Sequence, residues 1–363
     1  MSLIEDYISQ LKNNKFAYGS KESKQTFLKY CIETNTIGYF FNKSAKEFED
    51  SMDSLNWKES IIFAQKKSLQ HQSSLKHFLK LTETNNVDIC LLKGAFMSNF
   101  IYQNFTMRSM RDIDVLVDED DFLKIVNIML ANGFVFLNSR KDKLNKFDFK
   151  YAHQAPILVD RFGIAFEIHH RLKTQPELKN SDFLTENLIK HKKEKILFDT
   201  SVSIPTDNFA FIHCCYHAIN KSKLSIGPIF LNDLMEFKNR INDEILEDAR
   251  KSNCLKETEL GIEILNYIND LNMPIKKQVK QAIEIIVHCY KMPEFMPRKK
   301  INLLSSLKKS YAFNSYVFSL GDLSTYIKLK TKQIVIFLKS YLFNFSLHKK
   351  RSRFFKDFKK LGL

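Results

Sequence analysis

Two short stretches carry residue types whose spacing suits chemistry: Leu91-Leu92-Lys93-Gly94, and Met107-Arg108-Ser109-Met110-Arg111-Asp112-Ile113-Asp114-Val115-Leu116-Val117. A strand is predicted over Arg111 to Val117, and alternation then sets Asp112 and Asp114 on one face with Ile113 and Val115 on the other. Two adjacent carboxylates repel each other, and burial sharpens the repulsion. A divalent cation between them reverses the balance, and oxygen ligands of this kind suit Mg²⁺ (or Mn²⁺). Upstream, Lys93-Gly94 offers a cation and a close backbone approach for phosphate. It lies between a predicted strand (Val87 to Leu92) and a predicted helix (Ala95 to Asn104), whose free N–H groups and positive dipole end would face an anion.

A third acid stands apart. Glu167 lies between Phe166 and Ile168 in a strand predicted over Gly163 to His169, so one carboxylate projects from an otherwise apolar segment. Such a group needs a partner, either an arginine or a metal shared with Asp112 and Asp114. The acids Asp118, Glu119, Asp120 and Asp121 are read differently. They begin the next helix, with Asp118 expected as N-cap and Asp121 at the third helical position.

The elements that must position these residues follow from periodicity. Helical patterns run from Ile4 to about Phe48 and from Leu55 to Leu81, and Asn85-Asn86 makes a turn. The helix after Asp118 should stop at Asn132-Gly133. Strands are expected over Phe134 to Leu137 and Phe147 to Val159, the latter joined to the Glu167 strand by the turn Asp160-Arg161-Phe162-Gly163. Beyond Pro176 the pattern is helical throughout.

Composition narrows the class. With 363 residues, 9 Gly and 7 Pro, the chain is long enough for two cores and too poor in turn formers for a loop-rich all-β fold. Six cysteines without CxxC spacing are expected as buried free thiols, which fits a reducing cytoplasm. No basic stretch followed by an apolar core opens the sequence, so a cytoplasmic location is expected. The net charge of +15 is concentrated: residues 298–363 hold 16 Lys/Arg against 2 acids. That aromatic, basic segment suits a solvated helical face, contact with anionic lipid at the inner membrane surface, or contact with nucleic acid.

Taken in order, Leu92-Lys93-Gly94, Arg108-Ser109-Met110-Arg111-Asp112-Ile113-Asp114, Gly133-Phe134 and Phe166-Glu167-Ile168-His169 resemble the nucleotidyltransferase fold shared with DNA polymerase beta. More narrowly they are similar to the family of uncharacterised nucleotidyltransferases. The downstream His217-Ala218 and Phe230-Leu231-Asn232-Asp233 are also similar to that family's helical region. The resemblance implies an α+β fold: a small mixed β-sheet core flanked by helices, with N-terminal helices and a C-terminal helical region. It divides the chain into an N-terminal helical region (1–84), a catalytic core (85–175), a helical domain (176–297) and the basic segment (298–363).

The implied activity is Mg²⁺-dependent transfer of a nucleoside monophosphate from an NTP to a hydroxyl acceptor, releasing pyrophosphate. Asp112 and Asp114 would hold the metal, and Glu167 would complete its site or take the acceptor's proton. Lys93, Gly94, Arg108 and Arg111 would bind the nucleotide's phosphates, and His169 would orient the metal ligands or serve packing. The wider superfamily has Gly-Ser where this chain has Lys93-Gly94, a turn also seen in toxin-like branches. That leaves the acceptor open among small molecule, peptide, protein and RNA, with a toxin-like enzyme acting on tRNA as one alternative. A non-catalytic nucleotide-binding or interaction module is the other.

Overall fold

The computed structural model describes residues 3–288 except 14–20, 50–54, 138–143, 145–151, 174–181, 223, 225 and 271–272. The basic segment 298–363, Cys289 and residues 147–151 of the strand expected over Phe147 to Val159 lie outside the described residues.

Four helices lead the chain: α1 (Leu3–Asn13), α2 (Lys21–Glu33), α3 (Ile37–Glu49) and α4 (Leu55–Thr84). Their inward positions are aromatic. The rings of Tyr7 and Phe40 meet edge-on at 5.2 Å, and those of Tyr7 and Tyr30 at 5.5 Å. A buried tyrosine needs a partner for its hydroxyl. Tyr7 donates to Asn232 Oδ1 at 2.7 Å and Tyr30 to the Val287 carbonyl at 2.9 Å. The N-terminal helices therefore pack against the helices that end the described chain.

Next come β1 (Ile89–Leu91), α5 (Lys93–Phe96) running into a π-helical turn (Met97–Ile101), β2 (Asp112–Val117), α6 (Glu119–Ala131), β3 (Val135–Phe136), β4 (Leu158–Val159) and β5 (Ala165–His169). Then follow α7 (Phe183–Lys190), β6 (Lys193–Leu197), β7 (Thr200–Ile204), and α8 (Asp207–Cys215), which continues into a second π-helical turn (Tyr216–Lys221). The helices α9 (Ile229–Phe237), α10 (Ile245–Lys251), α11 (Leu255–Asn269) and α12 (Lys277–His288) complete the described fold. The fold is thus the expected α+β class, with a mixed sheet between helices.

The sheet has seven strands in the order β3-β4-β5-β2-β1-β7-β6. β2 runs parallel to β5, and β1 parallel to β7; the other neighbours are antiparallel. One face of the centre is apolar, and Phe78 of α4 packs on Phe166 of β5 at 5.2 Å between ring centroids. The opposite face of β2 and β5 carries Asp112, Asp114, Glu167 and His169, because the register sets Asp114 beside Glu167 and Leu116 beside His169.

Three expectations are corrected. Residues beyond Pro176 are not all helical: β6 and β7 form a hairpin whose two-residue turn, Phe198-Asp199, has φ of 53° and 63°. The reading failed because β6 is a polar edge strand, Lys193-Glu194-Lys195-Ile196-Leu197, with no buried face to impose alternation and with lysines that discourage edge pairing. Between Ala152 and Val159, only Leu158–Val159 is strand. At α6, Asp118 takes the N-cap position but its side chain makes no capping bond; the acids of the first turn complement the helix dipole, and Glu119 also accepts from Arg171 at 2.7 Å. The expected stop holds, with Gly133 at φ 86° just past the helix.

Among the described residues no helix is long and apolar enough to cross a membrane. Cys31, Cys90, Cys215 and Cys254 are buried free thiols and Cys214 is partly buried.

Candidate functional site

The site begins where β1 ends. Leu92 N donates to the Asp114 carbonyl at 3.0 Å, which pins the turn against β2. The next residue, Lys93, has φ 42°, a left-handed conformation that costs a non-glycine residue on the order of 1 kcal/mol. This backbone directs the lysine across the strand ends. Its Nζ donates to Asp114 Oδ1 at 2.6 Å and lies 3.9 Å from Glu167 Oε2. Gly94 follows for a packing reason: a Cβ there would come within 2.9 Å of Met110 Cγ.

Asp114 is only 2% exposed and sits between two donors. His169 Nε2 lies 3.1 Å from its Oδ1 and 3.5 Å from Glu167 Oε2. Burial opposes ionisation of Asp114, but Lys93 and His169 outweigh it and hold the carboxyl well below the ordinary range. Asp112 is in the opposite state. Burial, then Asp114, then Glu167 push its carboxyl up to about 6. One strand thus carries a carboxylate held ionised by its neighbours and another, on the same face, raised by burial and the adjacent acids.

A cavity of about 320 Å³ opens on these groups. Lys93, Asp112, Asp114 and Glu167 line it from the sheet, and His213 and His217 from α8 and its π-helical extension. Burial and the Lys93 charge push His217 down to about 3, and burial above all pushes His213 well below its usual range. Both therefore stand as neutral imidazoles near pH 7. Each π-helical turn adjoins this cavity, a local irregularity often found at functional sites.

The two expected arginines differ. Arg108 is spanned by Asp233 of α9, with Nε to Oδ1 at 2.8 Å and Nη2 to Oδ2 at 2.9 Å, while Nη1 donates to the Ser109 carbonyl at 2.6 Å. Tyr102 also donates to Asp233 Oδ1, at 2.7 Å. Arg111 is exposed and lines the same cavity. The structure therefore brings Lys93, Gly94, Arg108, Arg111, Asp112, Asp114 and Glu167 to one cavity.

It also moves His169 from a supporting place into direct contact with both acids. Among the described residues, Asp114, Glu167 and His169 are the group that could share an ion, with ligand atoms within 4.8 Å of one another. Two carboxylates and an imidazole, beside a third carboxylate raised by burial and by its acidic neighbours, fit a divalent cation. Sequence reasoning missed Asp233 as the partner of Arg108 and passed over His213 as part of a helix. Two histidines four apart on an apolar helix were the available signal.

The charge balance of Asp112 has a measurable consequence. Its proton is held more tightly in the folded chain (about 6) than in the unfolded one (ordinarily 3.8), so the ionised group subtracts stability. That subtraction is absent below the unfolded value and complete above the folded one, so stability falls as pH rises between them. Asp112→Asn removes it. In chelator at pH 7 the variant should be more stable than the parent by about 1–3 kcal/mol, with the gap closing toward pH 4. Urea melts across that range check this; a variant less stable at pH 7 contradicts it.

Residues 20–268, well over half of the chain, match the family described as uncharacterised nucleotidyltransferase, and the chain belongs to that family. No curated protein matches the chain.

Proposed function

We propose that this member of the uncharacterised nucleotidyltransferase family moves a nucleoside monophosphate from an NTP to a hydroxyl acceptor and releases pyrophosphate. The observation that carries the reading is the crowding of Asp112, Asp114 and Glu167 on one face of two parallel strands, at a cavity that also presents cations. Lys93 is at hydrogen-bond distance from Asp114 alone, and three acids packed so closely favour a further cation that offsets the remaining charge.

Asp114, Glu167 and Asp112 would hold Mg²⁺ (or Mn²⁺), with His169 Nε2 beside the first two. When bound, such an ion polarises phosphate oxygens and offsets the charge that develops on them. The chain's own residues do the rest. Lys93 ties Asp114 in place and brings a positive charge to the phosphates. Arg108, braced by Asp233, keeps an N–H on each terminal nitrogen uncommitted among the described residues, at the cavity wall. Glu167 is 19% exposed and accepts the proton of the acceptor hydroxyl. The acceptor oxygen then bonds to the α-phosphorus, the bond from that phosphorus to the α–β bridging oxygen breaks, and pyrophosphate leaves with the electron pair. Asp114 is the poorest base of the three, since its neighbours hold it strongly acidic.

Titration calorimetry with each NTP, run beside a pyrophosphate-release assay with small-molecule and RNA acceptor fractions, separates this reading from its alternative. Binding followed by Mg²⁺-dependent release is expected. Binding with no release from any fraction would make the chain a nucleotide-binding module.

A further inference from the structure

Four cationic side chains line the cavity, and they fall into two classes. Lys93 and Arg108 are matched by buried carboxylates, Asp114 at 2.6 Å and Asp233 at 2.8 and 2.9 Å. Lys67 and Arg111 form no ion pair among the described residues. An internally matched cation presents less net charge to a ligand than an unmatched one beside the same cavity.

Lys67 belongs to α4, outside the stretch where the sequence placed the chemistry. It is brought to the site by packing. His71, one turn further along α4, is buried, donates from Nδ1 to the Lys67 carbonyl at 2.9 Å, and lies against the Arg111 backbone. Lys67 and Arg111 are therefore held on adjoining elements at the start of β2, next to Asp112. Lys67 is half-buried and Arg111 exposed, so they mark the outer part of a cavity whose inner part holds Asp114 and Glu167.

We infer that Lys67 and Arg111 form the seat for the β- and γ-phosphates, and so for the departing pyrophosphate. This rests on the nucleotidyl-transfer reading and deepens it. A polyphosphate on these two cations sets its α-phosphorus inward, toward Asp112, Asp114 and Glu167, and leaves the leaving group on the solvent side. Lys93 and Arg108 then act as braces of the acidic cluster and the cavity wall more than as polyphosphate ligands. A cation contributed by an N-terminal helix also gives α4 a binding role besides its packing against Phe166.

The test uses the full chain with Mg²⁺ and inorganic pyrophosphate as probe in titration calorimetry, with melting curves as a check on folding. Lys67→Met with Arg111→Met should weaken pyrophosphate binding at least about tenfold, while Lys67→Arg stays within about threefold of the parent. The KM for NTP should rise in the Met pair by a similar factor, with a smaller change in kcat. Unchanged pyrophosphate affinity and KM in the folded Met pair overturn the inference, even if α-labelled NTP still transfers its label. If the parent transfers no label yet binds pyrophosphate through Lys67 and Arg111, the transfer reading fails and the anion seat stands. Parent protein that binds no pyrophosphate also overturns the seat.

Discussion

Replacing Asp112 and Asp114 together by Asn is expected to cut NTP turnover at least about 1000-fold, a loss of roughly 4 kcal/mol of transition-state stabilisation. Asn keeps the size and a hydrogen-bonding oxygen at both positions but removes the two charges that would hold a cation between β2 and β5. The fold should survive, because the two changes act on stability in opposite directions. At position 114, Lys93 and His169 lose a charged acceptor, yet the amide oxygen still meets the ammonium. At position 112 the repulsion from Asp114 and Glu167 disappears along with the burial of a charge. Far-ultraviolet circular dichroism and a melt of the double variant check the fold, and pyrophosphate release checks the turnover. Retained turnover in a folded double variant contradicts the assignment.

The second large effect concerns stability. Arg108→Met should destabilise the chain by about 3–5 kcal/mol, because it strands the carboxylate of Asp233 in the interior. Asp233 is 2% exposed, and with the guanidinium gone it keeps only the Tyr102 hydroxyl among the described residues. Restoration is the sharper test. Adding Asp233→Asn to Arg108→Met should recover a good part of the loss, since the unmatched charge is then gone while Tyr102 still has an oxygen to meet. Urea melts of the parent, both single variants and the double variant form the cycle. A loss below about 1 kcal/mol in Arg108→Met would show that the pair does not brace the wall.

Much of the site was legible because local rules decide it. Asp112 and Asp114 share a face through strand alternation alone, and Glu167 stands out as one acid in an apolar strand. The turn at Lys93-Gly94 was visible as a break between strand and helix. The pairing of Asp114 with Glu167 was not visible, since parallel register across more than fifty intervening residues depends on the whole sheet. Nor was the state of Lys93: its left-handed backbone and its hold on Asp114 come from tertiary packing. Asp233 lies 125 residues after Arg108, so their fork was beyond any local pattern. Lys67 has nothing local to mark it within its helical pattern, and only the packing of α4 brings it to the cavity beside Arg111. The β6–β7 hairpin was hidden for a different reason, as an edge strand of lysine and glutamate gives no hydrophobic alternation to read.

Groups that resemble one another in sequence stand in different states at the cavity. Of the three acids, Asp114 is locked, Asp112 is strained by its neighbours, and Glu167 is open to the cavity. Of the four cations, two pair with buried carboxylates and two form no ion pair among the described residues. These differences arise from distance and burial, and each is addressed by a separate substitution.

The most direct measurement follows the α-phosphate. The full chain is incubated with α-labelled NTP, Mg²⁺ and acceptor fractions, and both label transfer and pyrophosphate are counted, with the Asp112→Asn/Asp114→Asn chain in parallel. The account predicts label on an acceptor together with an equal amount of pyrophosphate from the parent, and neither from the double variant. Equal transfer by both chains, or nucleotide bound by the parent with no label moved to any fraction, would contradict it.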